Sequence, residues 1–279
     1  MTTPSPAGPT GAGVPAGGPA AAVLIATDAP PTVPNRKVAG ALAPLQLSGE
    51  HHLCPGCGHP VAWRLLLEAI AELGLANRAI GVVGHGCYTN IVSLADIDFL
   101  QCLHGRAPAV ATGVKRVQPD TAVFTLQGDG DLASEGLAEV LHAAARGERI
   151  TTIMLNNGVF GDTGGQMTAA SVVGQRTKTS LDGRQPEAHG YPVPVAELVA
   201  TLQGSVYVAR GAVHNAGSVA KTKRYLKRAF ELATSGAGFT FVEVLTMCPT
   251  GWFLPTADGP DYIQDTFEQT YPLGALKDV

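Results

Sequence analysis

Apolar side chains recur at helical spacing from residue 59, with Val61, Leu65, Leu66, Ala69, Ile70 and Leu73 on one face and Gly74 near the end, which predicts a helix over 59–75. Residues 78–83 are short and β-branched and stop at Gly84, as a buried strand does. A small-residue helix is expected over 107–117, halted before Pro119, followed by an uncharged strand over 121–126. The helical pattern returns over 132–145 ahead of Gly147, and 150–155 reads as another buried strand. From about 156 to 194 the periodicity lapses into a stretch rich in Gly, Thr, Gln and Asn; a loop of that length in a compact domain is usually functional. A short helix (195–202), a short strand (205–209), a basic amphipathic helix (218–234), a last buried strand (239–245) and a tail from 261 complete the pattern.

Strands alternating with helices predict an α/β fold, a doubly wound and mostly parallel sheet. Ligands of such sheets bind beyond the carboxyl ends of the strands. That rule points to Gly84-His85-Gly86-Cys87, Gly128-Asp129-Gly130-Asp131, Asn156-Asn157-Gly158 and Cys248, each of which follows a predicted strand.

Composition narrows the class. Hydrophobic residues make up 45% and charged residues 15%, which suits a large buried core and excludes general disorder. A net charge of −4 offers no basic field for nucleic acid, and no apolar run approaches the ~18 residues of a membrane span. Residues 1–45 are rich in Pro, Ala and Gly, with cations only at Arg36 and Lys37, so they read as a flexible leader and not a secretion signal. Residues 46–279 then form the folded domain. Five cysteines in a chain without an export signal point to a reducing, cytoplasmic setting, where metal ligation, reactive thiols or core filling explain them better than disulfides.

The 128–131 turn ends a strand and opens a helix, and its glycines let a ligand approach free amide N–H groups. The turn is nevertheless acidic. A diphosphate beside Asp129 and Asp131 needs a cation between them, and magnesium commonly bridges carboxylate to phosphate. Asn157 follows the next strand, 28 positions later, enough for one helix and one strand to return the chain to the same edge. The loop 158–166, with Gly161 and Asp162, can wrap the ligand. Gly-Asp-Gly or Asn-Asn-Gly alone is an ordinary turn signal; their spacing and context together carry the argument.

Cys54-Pro55-Gly56-Cys57-Gly58-His59 places two thiols three positions apart ahead of the first helix. Cys87 and Cys248 follow strand ends, so four thiolates from three loops could close on a zinc ion or a cubane cluster. Spacing alone leaves zinc, iron–sulfur and redox roles open. Cys102 has no companion and reads as a core thiol. His51, His52 and His59 fit a loop and a helix start better than a ligand set.

The Gly128–Asp131 and Asn156-Asn157 pair resembles the thiamine-diphosphate motif, in which the aspartate, the second asparagine and a backbone carbonyl two residues on bind magnesium; those roles fall on Asp129, Asn157 and Val159. Residues 50–275 further resemble the β subunits of 2-oxoacid:ferredoxin oxidoreductases. The segments that carry the resemblance are 54–59, His104-Gly105-Arg106-Ala107, the two motifs above, Thr163-Gly164-Gly165-Gln166, Cys248-Pro249-Thr250 and Tyr271-Pro272-Leu273-Gly274. The resemblance implies a PP-type thiamine-diphosphate domain with a 4Fe–4S cluster on Cys54, Cys57, Cys87 and Cys248. It also implies a cofactor lined by Gly86, Cys87 and Tyr88 and by His104, Gly105, Arg106 and Ala107, beside Gly130, Asp131, Gly161 and Asp162. The implied reaction is oxidative decarboxylation of a 2-oxoacid, of the 2-oxoisovalerate or 2-oxoglutarate class, with coenzyme A as acyl acceptor and ferredoxin as electron acceptor. Asn90 stands where some relatives carry a lysine, which makes a dicarboxylate substrate less secure, and the leader is longer than the family pattern.

The glutamate that activates the aminopyrimidine comes in that family from an α subunit, so an α/β assembly is expected. Glu68, Glu72, Glu135 and Glu139 sit in helical pairs better suited to a surface. The basic helix, with Lys221, Lys223, Arg224, Lys227 and Arg228, is a solvated face or a dock for acidic ferredoxin or for coenzyme A phosphates. Two other readings compete: a non-redox thiamine-diphosphate decarboxylase or synthase subunit, and a zinc-stabilised α/β binding module.

Overall fold

In a computed structural model that describes residues 48–279, the chain runs through α1 (His59–Glu72), β1 (Ala79–Val83), β2 (Asp98–Gln101), α2 (Ala107–Val117), β3 (Ala122–Gly128), α3 (Leu137–Ala145) and β4 (Thr151–Asn156). It continues through β5 (Val159–Phe160), β6 (Gln166–Met167), α4 (Pro186–His189), α5 (Val195–Thr201), β7 (Ser205–Ala212), α6 (Ala216–Thr234), β8 (Phe239–Leu245), α7 (Pro249–Trp252) and β9 (Gly274–Asp278). The leader expected over 1–45 lies outside the described residues.

Seven strands form one sheet in the order β2-β1-β3-β4-β8-β7-β9, all parallel except β9, which pairs antiparallel with β7. Residues of β1, β3, β4, β7 and β8 are almost wholly buried, as strands covered on both faces must be. One core packs α1 and α6 against Phe124, Leu126, Ile153, Val242 and Val244. The other packs α2, α3 and α5 against Val123, Met154, Phe239 and Phe241. The chain places β2 on one side of β1 and then crosses to β3 on the other. The sheet order therefore reverses at β1 and β3, and their carboxyl ends diverge into a crevice.

Four short strands departed from expectation. Edge strand β2 carries Asp98 and Gln101, and β9 is half solvated, so neither shows a buried run. The hairpin β5–β6 is only two residues per strand, inside the stretch expected to be irregular. The helix expected over 132–145 is also divided. Its start is a wide π-type turn over Gly130–Glu135, and α3 begins after Gly136, where the backbones of Gly136 and Gly105 meet. Such wide turns often mark functional sites.

On α6, Lys223 pairs with Glu68 and Glu72, Lys227 with Glu72, and Arg228 with Asp278. The basic face is thus partly neutralised by α1 and β9, which leaves less free charge for an acidic partner than the sequence suggests. Among the described residues no helix is long and apolar enough to cross a membrane.

The long segment between β6 and α5 is ordered by one buried cation. Arg184 donates to the carbonyls of Thr168, Ala169, Ser171, His189, Gly190 and Tyr191. Few other contacts could satisfy so many buried carbonyls. Arg184→Ala is expected to cost about 2–4 kcal/mol and to open the 168–191 segment to protease. Thermal melting and limited proteolysis mapped by mass spectrometry check both; an unchanged cleavage pattern would contradict the role.

Candidate active site

The parallel sheet brings the ends of β1, β3, β4 and β8 to one rim, and two adjoining cavities open there. The first, about 600 Å³, is lined by Gly86, Tyr88, His104, the Gly128–Asp131 turn, Asn157, Val159 and Gly161 among others. The second, about 810 Å³, is lined by Cys54, Cys57, Cys87 and Cys248 with Asn90 and the start of α7. His59, Cys87, Asn157, Gly161 and Asp162 line both and form the wall between them.

In the first cavity Asp129 is 1% exposed. Thr168 Oγ1 donates to one carboxylate oxygen at 2.5 Å and the Asn157 N–H to the other at 3.3 Å. Those donors do not offset the loss of water, and burial pushes the Asp129 carboxyl up to about 7. Asn157 is also buried; its Oδ1 accepts from the Val159 N–H at 3.1 Å, and Trp252 Nε1 donates to its carbonyl at 2.7 Å. Among the described residues no Lys or Arg lines either cavity. The site thus has oxygen ligands, a buried carboxyl that loses its proton only near neutral pH, and no Lys or Arg lining it, a donor set suited to a hard divalent ion such as magnesium.

Asp131 lines the same cavity, but both its oxygens are engaged by the protein. Tyr88 Oη donates to one and the Gly105 N–H to the other, each at 2.5 Å. It ties the loop after β1 and the 103–106 turn to the end of β3. Burial, with Asp131 second, holds the Tyr88 phenol well above its usual range.

Of the 104–107 segment only His104 lines the cavity. Gly105 packs its backbone on Glu135 and Gly136, Arg106 turns outward to pair with Glu139, and Ala107 starts α2 in the core. These three residues shape the turn that delivers His104. The cavity also recruits His85, His59, Phe160 and Thr163, which were not among the expected cofactor contacts. His85 stood in the Gly-rich turn after β1, a visible signal. His59 opens α1, and burial lowers its imidazole to about 4, so it is neutral at physiological pH. Phe160 and Thr163 belong to the loop 158–166, which the sequence marked as able to wrap a ligand without singling out either side chain.

The four thiols surround the second cavity. A Cβ on Gly161 would stand 3.5 Å from the Cys87 sulfur and 3.6 Å from that of Cys248, so one glycine separates the two. Burial pushes Cys57 up to about 11 and Cys87 and Cys248 up to about 12, with Asp162 adding to the shift at Cys87. Thiols so shifted stay protonated and unreactive at neutral pH unless a cationic centre takes the proton's place. Cys102 stands apart, its thiol donating to the Val83 carbonyl at the end of β1.

Behind the rim, Asn156 Nδ2 donates to Glu243 at 2.7 Å, and Arg210 joins Glu243 at 2.7 Å and Glu197 at 2.6 Å. Arg210 and Glu243 are fully buried, so each requires the other. This pair braces the turn that carries Asn157.

A family model described as thiamine pyrophosphate enzyme, C-terminal TPP binding domain, matches residues 80–244. The chain is 39% identical to a ketoisovalerate oxidoreductase subunit VorA of Methanothermobacter thermautotrophicus, over 81% of this chain and 48% of that protein. It spans about half the length of such relatives. It is 32% identical to a 2-oxoglutarate synthase subunit KorB of Methanocaldococcus jannaschii, over 82% of each. Among solved structures, 2-oxoglutarate:ferredoxin oxidoreductase from Magnetococcus marinus, with 2-oxoglutarate, coenzyme A and succinyl-CoA bound, superposes with a TM-score of 0.68 at 30% identity, covering 79% of this chain and 71% of that one.

Asp129 gives the site a pH signature. Its folded carboxyl keeps a proton to about 7, whereas an aspartate in water loses it at about 3.8. The folded state therefore binds more protons between those values, and stability of the metal-free protein falls as pH rises through that window. Asp129→Asn removes the penalty. Its melting temperature is expected to exceed the metal-free wild type by a margin that grows between pH 4 and pH 7, and magnesium should raise only the wild type. A margin independent of pH would contradict the assignment.

Proposed function

Because the chain belongs to the 2-oxoacid:ferredoxin oxidoreductase family, as a subunit built on its thiamine-pyrophosphate-binding domain, we propose that it is the β subunit of such an enzyme, with residues 46–279 as the thiamine-diphosphate-binding domain that carries a 4Fe–4S site. The proposed reaction converts a 2-oxoacid, coenzyme A and oxidised ferredoxin into acyl-coenzyme A, carbon dioxide and reduced ferredoxin. The substrate class is 2-oxoisovalerate or 2-oxoglutarate, and the setting is the cytoplasm. The observation that carries this reading is the shared wall: the cavity of the Asp129–Asn157 pair and the cavity of the four thiols are divided by only five residues.

Asp129, Asn157 and the Val159 carbonyl would hold magnesium against the diphosphate, with Gly86, Tyr88, His104, Gly130, Asp131, Gly161 and Asp162 forming the walls. Gly105, Arg106 and Ala107 would act by setting the turn before α2. Cys54, Cys57, Cys87 and Cys248 would hold a 4Fe–4S cluster. When bound, thiamine diphosphate would supply a carbon nucleophile for the 2-oxo group, and a cluster on these cysteines would supply a one-electron acceptor. His59, whose imidazole burial keeps neutral, is part of the wall between the cavities, and Phe160 adds an apolar face to the first.

A single zinc ion accounts for the thiols less well. Four thiolates at about 2.3 Å from one zinc stand only ~3.8 Å apart. Among the described residues no three His, Cys, Asp or Glu side chains gather tightly enough to hold one ion. A cubane gives each thiolate its own iron and so needs sulfurs spread around a cavity.

The missing acid supports a partner. No glutamate lines either cavity among the described residues, while Glu68 and Glu72 pair with α6 and Glu139 with Arg106. An α subunit would supply that glutamate with the pyrimidine-binding domain.

Anaerobic purification is expected to give a brown protein with broad absorbance near ~400 nm, from iron–thiolate charge transfer. The chain assembled with its α subunit should reduce ferredoxin when given a 2-oxoacid and coenzyme A, and the chain alone should not. Cys87→Ala should abolish ferredoxin reduction. A colourless protein with stoichiometric zinc would refute the redox assignment, and full turnover by the isolated chain would refute the partner.

A further inference from the structure

Asn157 is gripped from two directions by the segments that carry the cysteines. From the Cys54–His59 segment, the His59 ring nitrogen lies 3.4 Å from Asn157 Nδ2. From the Cys248–Trp252 segment, the indole N–H of Trp252 donates to the Asn157 carbonyl at 2.7 Å. Trp252 is 4% exposed, and its ring is fixed against Tyr262 and Phe267 at 4.7 and 5.4 Å between centroids. The short helix α7 is held at its other end by the sulfur segment. Its Trp252 N–H donates to the Cys248 carbonyl at 3.0 Å, and a Cβ on Gly251 would stand 2.9 Å from both the Cys248 sulfur and a Val159 methyl. α7 therefore touches Cys248 on one side and both Asn157 and Val159 on the other, with no slack between them.

We propose that Trp252 is a positioning residue that couples the two cavities: seating Cys248 on its metal centre fixes α7, and the Trp252 indole then holds Asn157 in the geometry that binds the magnesium diphosphate. This inference rests on the function proposed above. The coupling is energetic and reciprocal. Loading the thiol site tightens magnesium–thiamine diphosphate binding, and bound diphosphate protects the thiol site. The Asn157 carbonyl also accepts from Gln175 Nε2, but at 3.4 Å against 2.7 Å for Trp252, and a buried carbonyl that loses its shorter donor weakens what it orients by a factor of roughly five to thirty. The device would keep an enzyme without its electron acceptor from holding the cofactor that generates the electrons.

The test is a two-by-two cycle on the full chain in its assembled complex. Affinity for magnesium–thiamine diphosphate is measured by titration calorimetry, before and after the thiol centre is stripped by a chelator and the protein desalted, in wild type and in Trp252→Phe. Wild type is expected to lose five- to thirtyfold in affinity on stripping. Trp252→Phe should bind weakly in both states, with less than a twofold difference, while keeping the iron content and visible absorbance of wild type. A Trp252→Phe variant that still shows the full wild-type difference would overturn the proposal. The wild-type arm needs no substitution: equal affinity with the centre loaded and stripped also overturns it, whether or not the variant folds. Absence of any magnesium–thiamine diphosphate binding by loaded wild type would instead remove the functional reading beneath it.

Discussion

Taking a carboxylate out of water costs several kcal/mol unless a cation or a full set of donors replaces the solvent. Asp129 is buried at the end of a central strand with one hydroxyl and one amide as donors, and its proton is held to about 7. Everything around it is arranged as though a positive charge were to arrive. Thr168 reaches it from the far loop, Arg184 holds Thr168 by its carbonyl, and Asn157 faces it from the next strand. The fold tolerates an unfavourable group there because the surrounding core is large and doubly covered.

The parallel sheet makes this arrangement possible. Every strand of a parallel sheet points its carboxyl end the same way, so loops distant in sequence meet on one rim. Cys54 and Cys57 precede α1, Cys87 follows β1, and Cys248 follows β8, yet all four line one cavity. The reversal of strand order at β1 and β3 opens the crevice beside them. The two cavities on this rim share five lining residues, so whatever occupies one stands beside the occupant of the other.

The second layer is built from pairs that neutralise one another. Glu243 and Arg210 brace Asn156, Asp131 joins Tyr88 to Gly105, and Trp252 fixes Asn157. In each of these contacts a buried polar group has a partner whose removal would strand it. These contacts tie the ends of β1, β3, β4 and β8 to one another across the rim.

The order of helices and central strands was legible in the chain itself, because a side chain's burial on two faces or one writes a local period. So were the thiol spacing, the Gly-Asp-Gly turn and Asn157, since each is a short motif at a strand end. The edge strands β2 and β9 and the hairpin β5–β6 escaped notice, being short and half solvated. Nor could the sequence show that Asp131 turns to Tyr88 and Gly105, that Arg106 turns away to Glu139, or that Phe160 and Trp252 pack on the motif residues. Local pattern determines which elements form and which turns carry chemistry; which side chain stands across a cavity from which is set by contacts 26, 43 or 95 positions apart, and such contacts exist only once the whole sheet has closed its cores.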